Sequence, residues 1–311
     1  MRVLVTGGTG FVGKSVVQRL ATEGHSLRLA VRHPKCDSPF ECVHVPDIAG
    51  EVDWSVVLAG VDAVIHLAAR VHVMRKSVSD NVEFDRTNTE ATLRLARAAA
   101  TAGARRFVFL SSIKVNGEVT NGQPFRSHDL PSPRDAYAVS KFQAELGLRD
   151  IEGLDVVILR PPLVYGPGVK GNLARLCRFA LLGIPVPFGA IGNRRDLVGV
   201  SNLADLIARC VTHQAAVGRV ILAADGRALS TPELYEMIST ALGKTPRIFA
   251  APVRTLEMFG RAIGRFDEVE RLTQDLEVDI SETCSVLGWQ PPATIEQGVR
   301  EMANAVRSRA K

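Results

Sequence analysis

Aromatic residues make up only 5% of this chain, with two tryptophans and three tyrosines among 311 residues. None interleave with arginine clusters, and the formal net charge of +5 is spread along the sequence. A nucleic-acid binder needs a basic stripe with stacking aromatics, so that class is excluded, whereas a small anionic ligand suits the charge. No apolar run approaches the ~18 residues of a membrane span. The first residues enter a strand directly, without a charged-then-apolar secretory leader. The five cysteines, Cys36, Cys42, Cys177, Cys210 and Cys284, are scattered and contain no C-x-x-C. That pattern implies free thiols in a reducing cytoplasm and argues against a metal site or a disulfide framework. Internal repeats, low-complexity tracts and a linker between independent domains are also missing. What remains is a globular composition, 46% hydrophobic and 23% charged, long enough for one large domain or two unequal ones.

The chain begins with a short apolar run, Arg2-Val3-Leu4-Val5, read as a buried parallel strand. It enters Thr6-Gly7-Gly8-Thr9-Gly10-Phe11-Val12-Gly13, after which Val16, Val17 and Leu20 continue at helical spacing. Strand, glycine turn and helix in that order form a dinucleotide-binding arrangement. Gly7 permits the turn, Gly10 lets backbone approach a pyrophosphate, and Gly13 lets the helix pack on the strand. The phosphates would sit on the positive helix start formed by Gly10, Phe11, Val12 and Gly13.

A second strand, Ser26 to Val31, runs into Arg32, where an NAD enzyme usually places an acid for the ribose 2′-hydroxyl. A guanidinium can instead pair with a 2′-phosphate. NADP(H) is therefore expected in preference to NAD(H), unless Arg32 is a solvated loop residue and specificity lies elsewhere. Val43 to Ile48 reads as the third strand, with Asp47 able to accept from the adenine amino group and Ile48 beside it. Ala63 to Leu67 is the fourth strand. Leu67, Ala68 and Ala69 follow His66, and their small side chains let backbone lie against the cofactor. His66 itself reads as a packed core histidine. A helix from about Asp85 to Ala102 places Ala91, Leu95 and Ala98 on one face, Asn88 near its start can tie backbone segments together, and Gly103 ends it.

Phe107 to Leu110 is the fifth strand and ends in Ser111-Ser112. Further on, Tyr137 and Lys141 stand four residues apart, on one face of a helix. A phenol is a poor proton carrier at neutral pH, with a pKa near ~10, and a nearby ammonium can lower it by roughly 1–3 units. Tyr137 can then exchange a proton with a substrate oxygen that Ser112 also reaches. Alone, the pairing also fits a half-buried tyrosine beside a solvated lysine.

In combination, the Gly7–Gly13 loop, Asp47-Ile48, Leu67-Ala68-Ala69, Asn88, Ser111-Ser112 and Tyr137–Lys141 resemble the extended short-chain dehydrogenase/reductases that act on nucleotide sugars. The resemblance spans nearly the whole chain. It implies that Tyr137 is the catalytic acid/base, that Ser112 orients the substrate oxygen, and that Lys141 binds the nicotinamide ribose and depresses the Tyr137 pKa. Ser111 would lie on the substrate side with Ser112. The family's common Ser-Ser-x-x-Val-Tyr-Gly reads here Ser111-Ser112-Ile113-Lys114-Val115-Asn116-Gly117. This variant is similar to bacterial 4-reductases of UDP-4-keto-6-deoxy-N-acetylhexosamines. Lys114 is either an exposed loop lysine or a group touching sugar or cofactor.

The sixth strand, Asp155 to Arg160, exits through Pro161-Pro162. Beyond Pro167 the strand–helix alternation gives way to shorter mixed elements. By the same resemblance Asn172 is directed at substrate phosphates, Arg195 grips the diphosphate of a UDP-sugar, and Arg271 is a second diphosphate ligand. Each arginine also fits a surface salt bridge. Thr231-Pro232 reads as a helix N-cap followed by proline.

The expected fold is α/β: a Rossmann-type doubly wound parallel sheet over residues 1–167, with possible later returns of the chain to it. A smaller mixed α/β part over 168–311 mainly binds the nucleotide sugar. The expected activity is NADPH-dependent reduction of the C4 keto group of a UDP-4-keto-6-deoxy sugar, in surface polysaccharide biosynthesis. The alternative is a UDP-hexose 4-epimerase using bound NAD, and a non-catalytic sensor or scaffold is the remaining reading. A cytoplasmic homodimer is expected, with no metal, membrane or nucleic-acid partner.

Overall fold

The computed structural model describes residues 1–35, 37–71 and 78–309. Among them, nine strands run in chain order: β1 (Arg2–Thr6), β2 (Ser26–Val31), β3 (Glu41–His44), β4 (Ala63–His66), β5 (Arg106–Leu110), β6 (Asp155–Arg160), β7 (Leu163–Tyr165), β8 (Leu197–Gly199) and β9 (Val220–Leu222). Seven form one sheet in the order β3-β2-β1-β4-β5-β6-β9, and β7 pairs with β8 in a second. Every pairing is parallel. The Rossmann-type fold expected from the strand–helix alternation is therefore the fold observed.

A parallel sheet covered on both faces must be apolar on both, and the strands comply. Val3 and Val5 face one layer, where they pack with Val16 and Leu20 of the Phe11–Thr22 helix and Leu203 and Ile207 of the Val200–Thr212 helix. Leu4, one residue out of phase, faces the other layer with Leu95, Ala99, Ala144 and Leu148. Those residues come from the Ala91–Thr101 and Ala136–Arg149 helices. A separate core around Cys177, Tyr235, Val299 and Met302 fills the C-terminal lobe.

Four local expectations are displaced. The third strand is Glu41–His44, earlier than the Val43–Ile48 stretch, because Pro46 and the Asp47 turn end the ladder there. The helix expected from about Asp85 opens with a π-helical segment, Asp85–Glu90, before α-helix resumes at Ala91. Ser230 rather than Thr231 caps the Thr231–Ala241 helix, in a capping box with Glu233. Cys177, Cys210 and Cys284 are free thiols as expected, but Cys42 is disulfide-bonded, a pairing that spacing without a C-x-x-C does not reveal. Cys36 lies outside the described residues.

The chain also comes back to the large sheet after leaving it. β9 hydrogen-bonds along β6 through Ile158–Val220, Leu159–Ile221 and Arg160–Leu222. No helix among the described residues is long and apolar enough to cross a membrane.

Candidate active site

In a parallel sheet the loops at the strands' C-terminal ends share one edge, and the residues singled out in the sequence converge there. β1 delivers the glycine loop, β2 delivers Arg32, β4 delivers Leu67-Ala68-Ala69, and β5 delivers Ser111-Ser112. Gly7 has φ +71, and a Cβ on it would stand 2.8 Å from the Ala68 backbone nitrogen. A Cβ on Gly13 would stand 2.1 Å from the Gly7 carbonyl oxygen. These glycines leave a backbone cradle that side chains would fill. Gly10 caps the following helix with no side-chain acceptor on its first N–H groups. The amides of Phe11, Val12 and Gly13 are thus donors for an anion. A dinucleotide pyrophosphate fits this cradle.

Its walls are tied together. The Ala68 amide donates to Thr6 Oγ1 at 3.3 Å, and Thr6 Oγ1 lies 2.7 Å from His66 Nδ1. His66 Nε2 is 3.0 Å from Thr92 Oγ1, which itself donates to the Asn88 carbonyl at 2.7 Å. The tautomer follows: Nε2 carries the proton and donates to Thr92, while Nδ1 accepts from Thr6. Burial lowers the His66 pKa to about 3, with the Lys141 charge adding to the effect, so the ring is neutral. Asn88, wholly buried in the π-helical segment, accepts from the Arg70 amide at 2.9 Å. It also donates to the Arg70 carbonyl and to Ser140 Oγ. It therefore clamps the loop after β4 onto the helix that carries Tyr137. Arg32 is exposed, its carbonyl facing His44 Nε2 at 3.2 Å. Asp47 pairs with Arg86 at 2.8 Å and accepts from the Ala49 amide, and Ile48 packs partly into the core.

Tyr137 and Lys141 lie in the first half of the Ala136–Arg149 helix, whose N-cap is Asp135. Ser112 is near enough to the Tyr137 phenol to ease its ionisation. Lys141 is buried, donates to the Leu110 carbonyl at 2.8 Å and stands over the Phe109 ring. Burial draws its pKa down to about 7, with the Glu145 carboxylate pulling the other way. The expected lowering of the Tyr137 pKa is reversed. Burial first, then the Asp135 carboxylate, push the phenol above its ordinary value, and Ser112 opposes them.

Ser111 faces inward and donates its hydroxyl to Glu145, so it supports the site from behind rather than lining the substrate side. Asn116 accepts from Arg160 at 2.9 Å and donates to the Arg126 carbonyl. Lys114 is not a free loop lysine: its ammonium pairs with Glu118 at 2.6 Å and Asp135 at 2.5 Å, while its side chain stays 26% exposed. Sequence reading missed Glu118, Asp135 and Glu145. Glu145 was within reach, because it extends the Tyr137–Lys141 face by one further turn.

Arg195 is largely buried and donates to the Gln274 carbonyl at 2.9 Å. Its pKa is lowered to about 10, first by burial and then by the neighbouring Arg271 charge. The Arg271 charge thus acts on both Arg195 and Asp135. Asn172 is linked, through Arg175 and Glu268, to the Phe266–Thr273 helix that carries Arg271. It is exposed and accepts from Arg175, which also pairs with Glu268.

The profile of the NAD dependent epimerase/dehydratase family matches residues 3–224. A UDP-glucose 4-epimerase of Vibrio cholerae is 41% identical across 97% of this chain and 94% of its own length. A GDP-6-deoxy-D-mannose reductase of Pseudomonas aeruginosa is 29% identical across 100% of this chain and 98% of its own. Among solved structures, MoeE5 in complex with UDP-glucose and NAD superposes with a TM-score of 0.80 at 26% identity, covering 100% of both chains. The resemblance read from the motifs and this similarity over nearly the full length agree: the chain is an enzyme belonging to the NAD dependent epimerase/dehydratase family.

Proposed function

We propose that the protein is a UDP-hexose 4-epimerase working with bound NAD, the activity weighed above as the alternative to a 4-reductase. The observation that carries this reading is the 41% identity to the Vibrio cholerae UDP-glucose 4-epimerase across nearly both lengths. The site agrees with it chemically. Tyr137 and Ser112 are neighbours, as the pair of groups through which a sugar hydroxyl loses and regains its proton must be. The glycine cradle, Ala68 and Lys141 would hold the dinucleotide, which when bound supplies hydride removal and return at C4. Tyr137 takes the 4-hydroxyl proton and returns it, Ser112 holds the oxygen, and no net redox change accumulates. The C-terminal lobe, with Arg195 and Arg271, receives the diphosphate in this reading. Apolar exposure of Val82, Val139 and Leu146 supports a homodimer built on the outer helices.

Two observations favour the second reading, NADPH-dependent reduction of a UDP-4-keto-6-deoxy sugar. Arg32 is exposed at the end of β2, where an acid would select NAD. The Tyr137 phenol also retains its proton, as a donor to a developing alkoxide must. The deciding experiment incubates the purified protein with UDP-glucose, without added cofactor or reductant, and identifies the nucleotide that co-purifies. Conversion to UDP-galactose, lost by roughly 10²–10⁴-fold in Tyr137→Phe, is the expected result. Absence of conversion, together with NADPH consumption on a 4-keto-6-deoxy sugar, transfers the assignment to the reductase.

A further inference from the structure

The catalytic helix faces a conflict at its start. Asp135 is its N-cap, with Oδ1 accepting the Ala138 amide at 2.7 Å, and such a cap is worth about 0.5–2 kcal/mol to a helix. Tyr137 sits in the first turn, where the positive end of the helix favours a phenolate. The capping carboxylate opposes that preference, since its negative charge, two residues away in the chain, disfavours a phenolate. A neutral cap would remove the conflict, but this chain keeps the acid and places a cation on its other oxygen.

That cation is Lys114. Its Nζ lies 2.5 Å from Asp135 Oδ2 and 2.6 Å from Glu118 Oε1. Its backbone amide donates to Ser112 Oγ at 3.3 Å, within the 3₁₀ turn Ile113–Val115 that Ser112 itself caps. One residue therefore binds both the group that orients the substrate oxygen and the cap of the helix that carries the proton donor. The other charges in the neighbourhood are Arg271, which also acts on Asp135, and Lys141 one turn along the helix. Phe84 packs edge-on against the Tyr137 ring, with Arg70 over the Phe84 ring. Asp135 remains ionised despite its burial, because Lys114, the Ala138 amide and Arg271 together hold its carboxyl below the usual range.

We propose that Lys114 is a positioning residue for proton transfer at Tyr137: its ammonium locks Asp135 as the helix cap, screens that carboxylate from the phenol, and docks the Ser112 turn against the helix. The proposal rests on the reading of Tyr137 as the proton-transfer group. It gives the lysine of the Ser111–Gly117 motif a role through its two carboxylate partners. It also separates Lys114 from Arg195 and Arg271, whose charges serve substrate affinity.

The test compares Lys114→Met, Lys114→Arg, Asp135→Asn and the double variant Lys114→Met/Asp135→Asn, with kcat and KM for UDP-glucose followed across pH. Lys114→Met leaves Asp135 unscreened, so the limb of the kcat profile set by Tyr137 moves to higher pH by about one unit or more, while KM changes little. Asp135→Asn keeps a capping oxygen but removes the charge, and moves the limb down. The double variant returns towards the wild type, and Lys114→Arg stays near it. An unshifted limb in Lys114→Met, or a rise in KM alone, overturns the proposal. Tyr137→Phe serves as the control that separates the two ideas: if it retains turnover, the site reading itself fails. Independently of turnover, ¹³Cζ-tyrosine NMR reports Tyr137 directly, assigned with Tyr137→Phe among only three tyrosines. Its titration midpoint falls in Asp135→Asn and rises in Lys114→Met, and equal midpoints in all variants would again overturn the proposal.

Discussion

Arg160 and Glu145 form an ion pair at 2.5 Å with their side chains 1% and 0% exposed, Glu145 standing one turn beyond Lys141 on the same helix. Arg160 Nε donates to the second carboxylate oxygen at 3.0 Å, and Nη1 reaches Asn116. The pair therefore joins β6, the catalytic helix and the Ser111–Gly117 turn at one point. Removing one member of a buried pair leaves the other charge without compensation, which costs about 3–5 kcal/mol. Arg160→Met is expected to lose stability of that order in urea denaturation. Glu145→Gln has a second effect, because the Glu145 carboxylate sustains the charge on buried Lys141. With the carboxylate gone, Lys141 loses its proton at lower pH. Activity near neutrality should fall and recover partly on acidification. A Glu145→Gln enzyme with the wild-type pH profile would refute this link.

The strands β1, β2, β4, β5 and β6 were legible because each is a largely apolar run with a clear stop: glycine after β1, small residues after β4, serine after β5, and proline within three residues of β2 and directly after β6. β7, β8 and β9, each only three residues long, were not, since so short a run carries no period of its own. Tertiary pairing alone brings Val220–Leu222 back to the large sheet. The site divided in the same way. Tyr137, Lys141, Ser112 and the glycine loop converge because their spacing places them on one helix face and one sheet edge. The roles of Ser111 and Lys114 were hidden, because both depend on carboxylates distant in sequence: Glu145 for the first, Asp135 for the second.

His66 makes acid stability testable. In the folded protein its pKa is about 3, against 6.5 ordinarily, because burial excludes the charged ring. Between these values the unfolded chain binds a proton that the native state refuses, so stability must fall as pH drops below about 6.5. Each unit is worth about 1.4 kcal/mol, and the share due to His66 between pH 7 and pH 5 is roughly 2 kcal/mol. His66→Gln is expected to be less stable at pH 7, since it disturbs the bonds to Thr6 and Thr92. It should nevertheless lose less on going to pH 5. Denaturant midpoints at the two pH values decide the matter, and equal pH dependence in both proteins would exclude His66 as the source.

Arg195, largely withdrawn from solvent, keeps its charge against the repulsion of the Arg271 guanidinium. Like charges repel, so the arrangement holds affinity in reserve for an anion placed between them. A sugar diphosphate is such an anion, and a guanidinium meets it with paired donors. Arg195→Met should therefore raise KM for UDP-glucose by roughly 10–100-fold, about 1.4 kcal/mol for each tenfold, and leave kcat much less affected. Arg271, exposed at the end of its helix, should give a smaller rise. Losing Arg195 also removes the repulsion, which offsets part of the stability lost with its bond to the Gln274 carbonyl. Urea denaturation with and without UDP separates the two effects: the nucleotide stabilises the wild type and stabilises Arg195→Met far less. Equal stabilisation of both proteins by UDP would remove Arg195 from the diphosphate site.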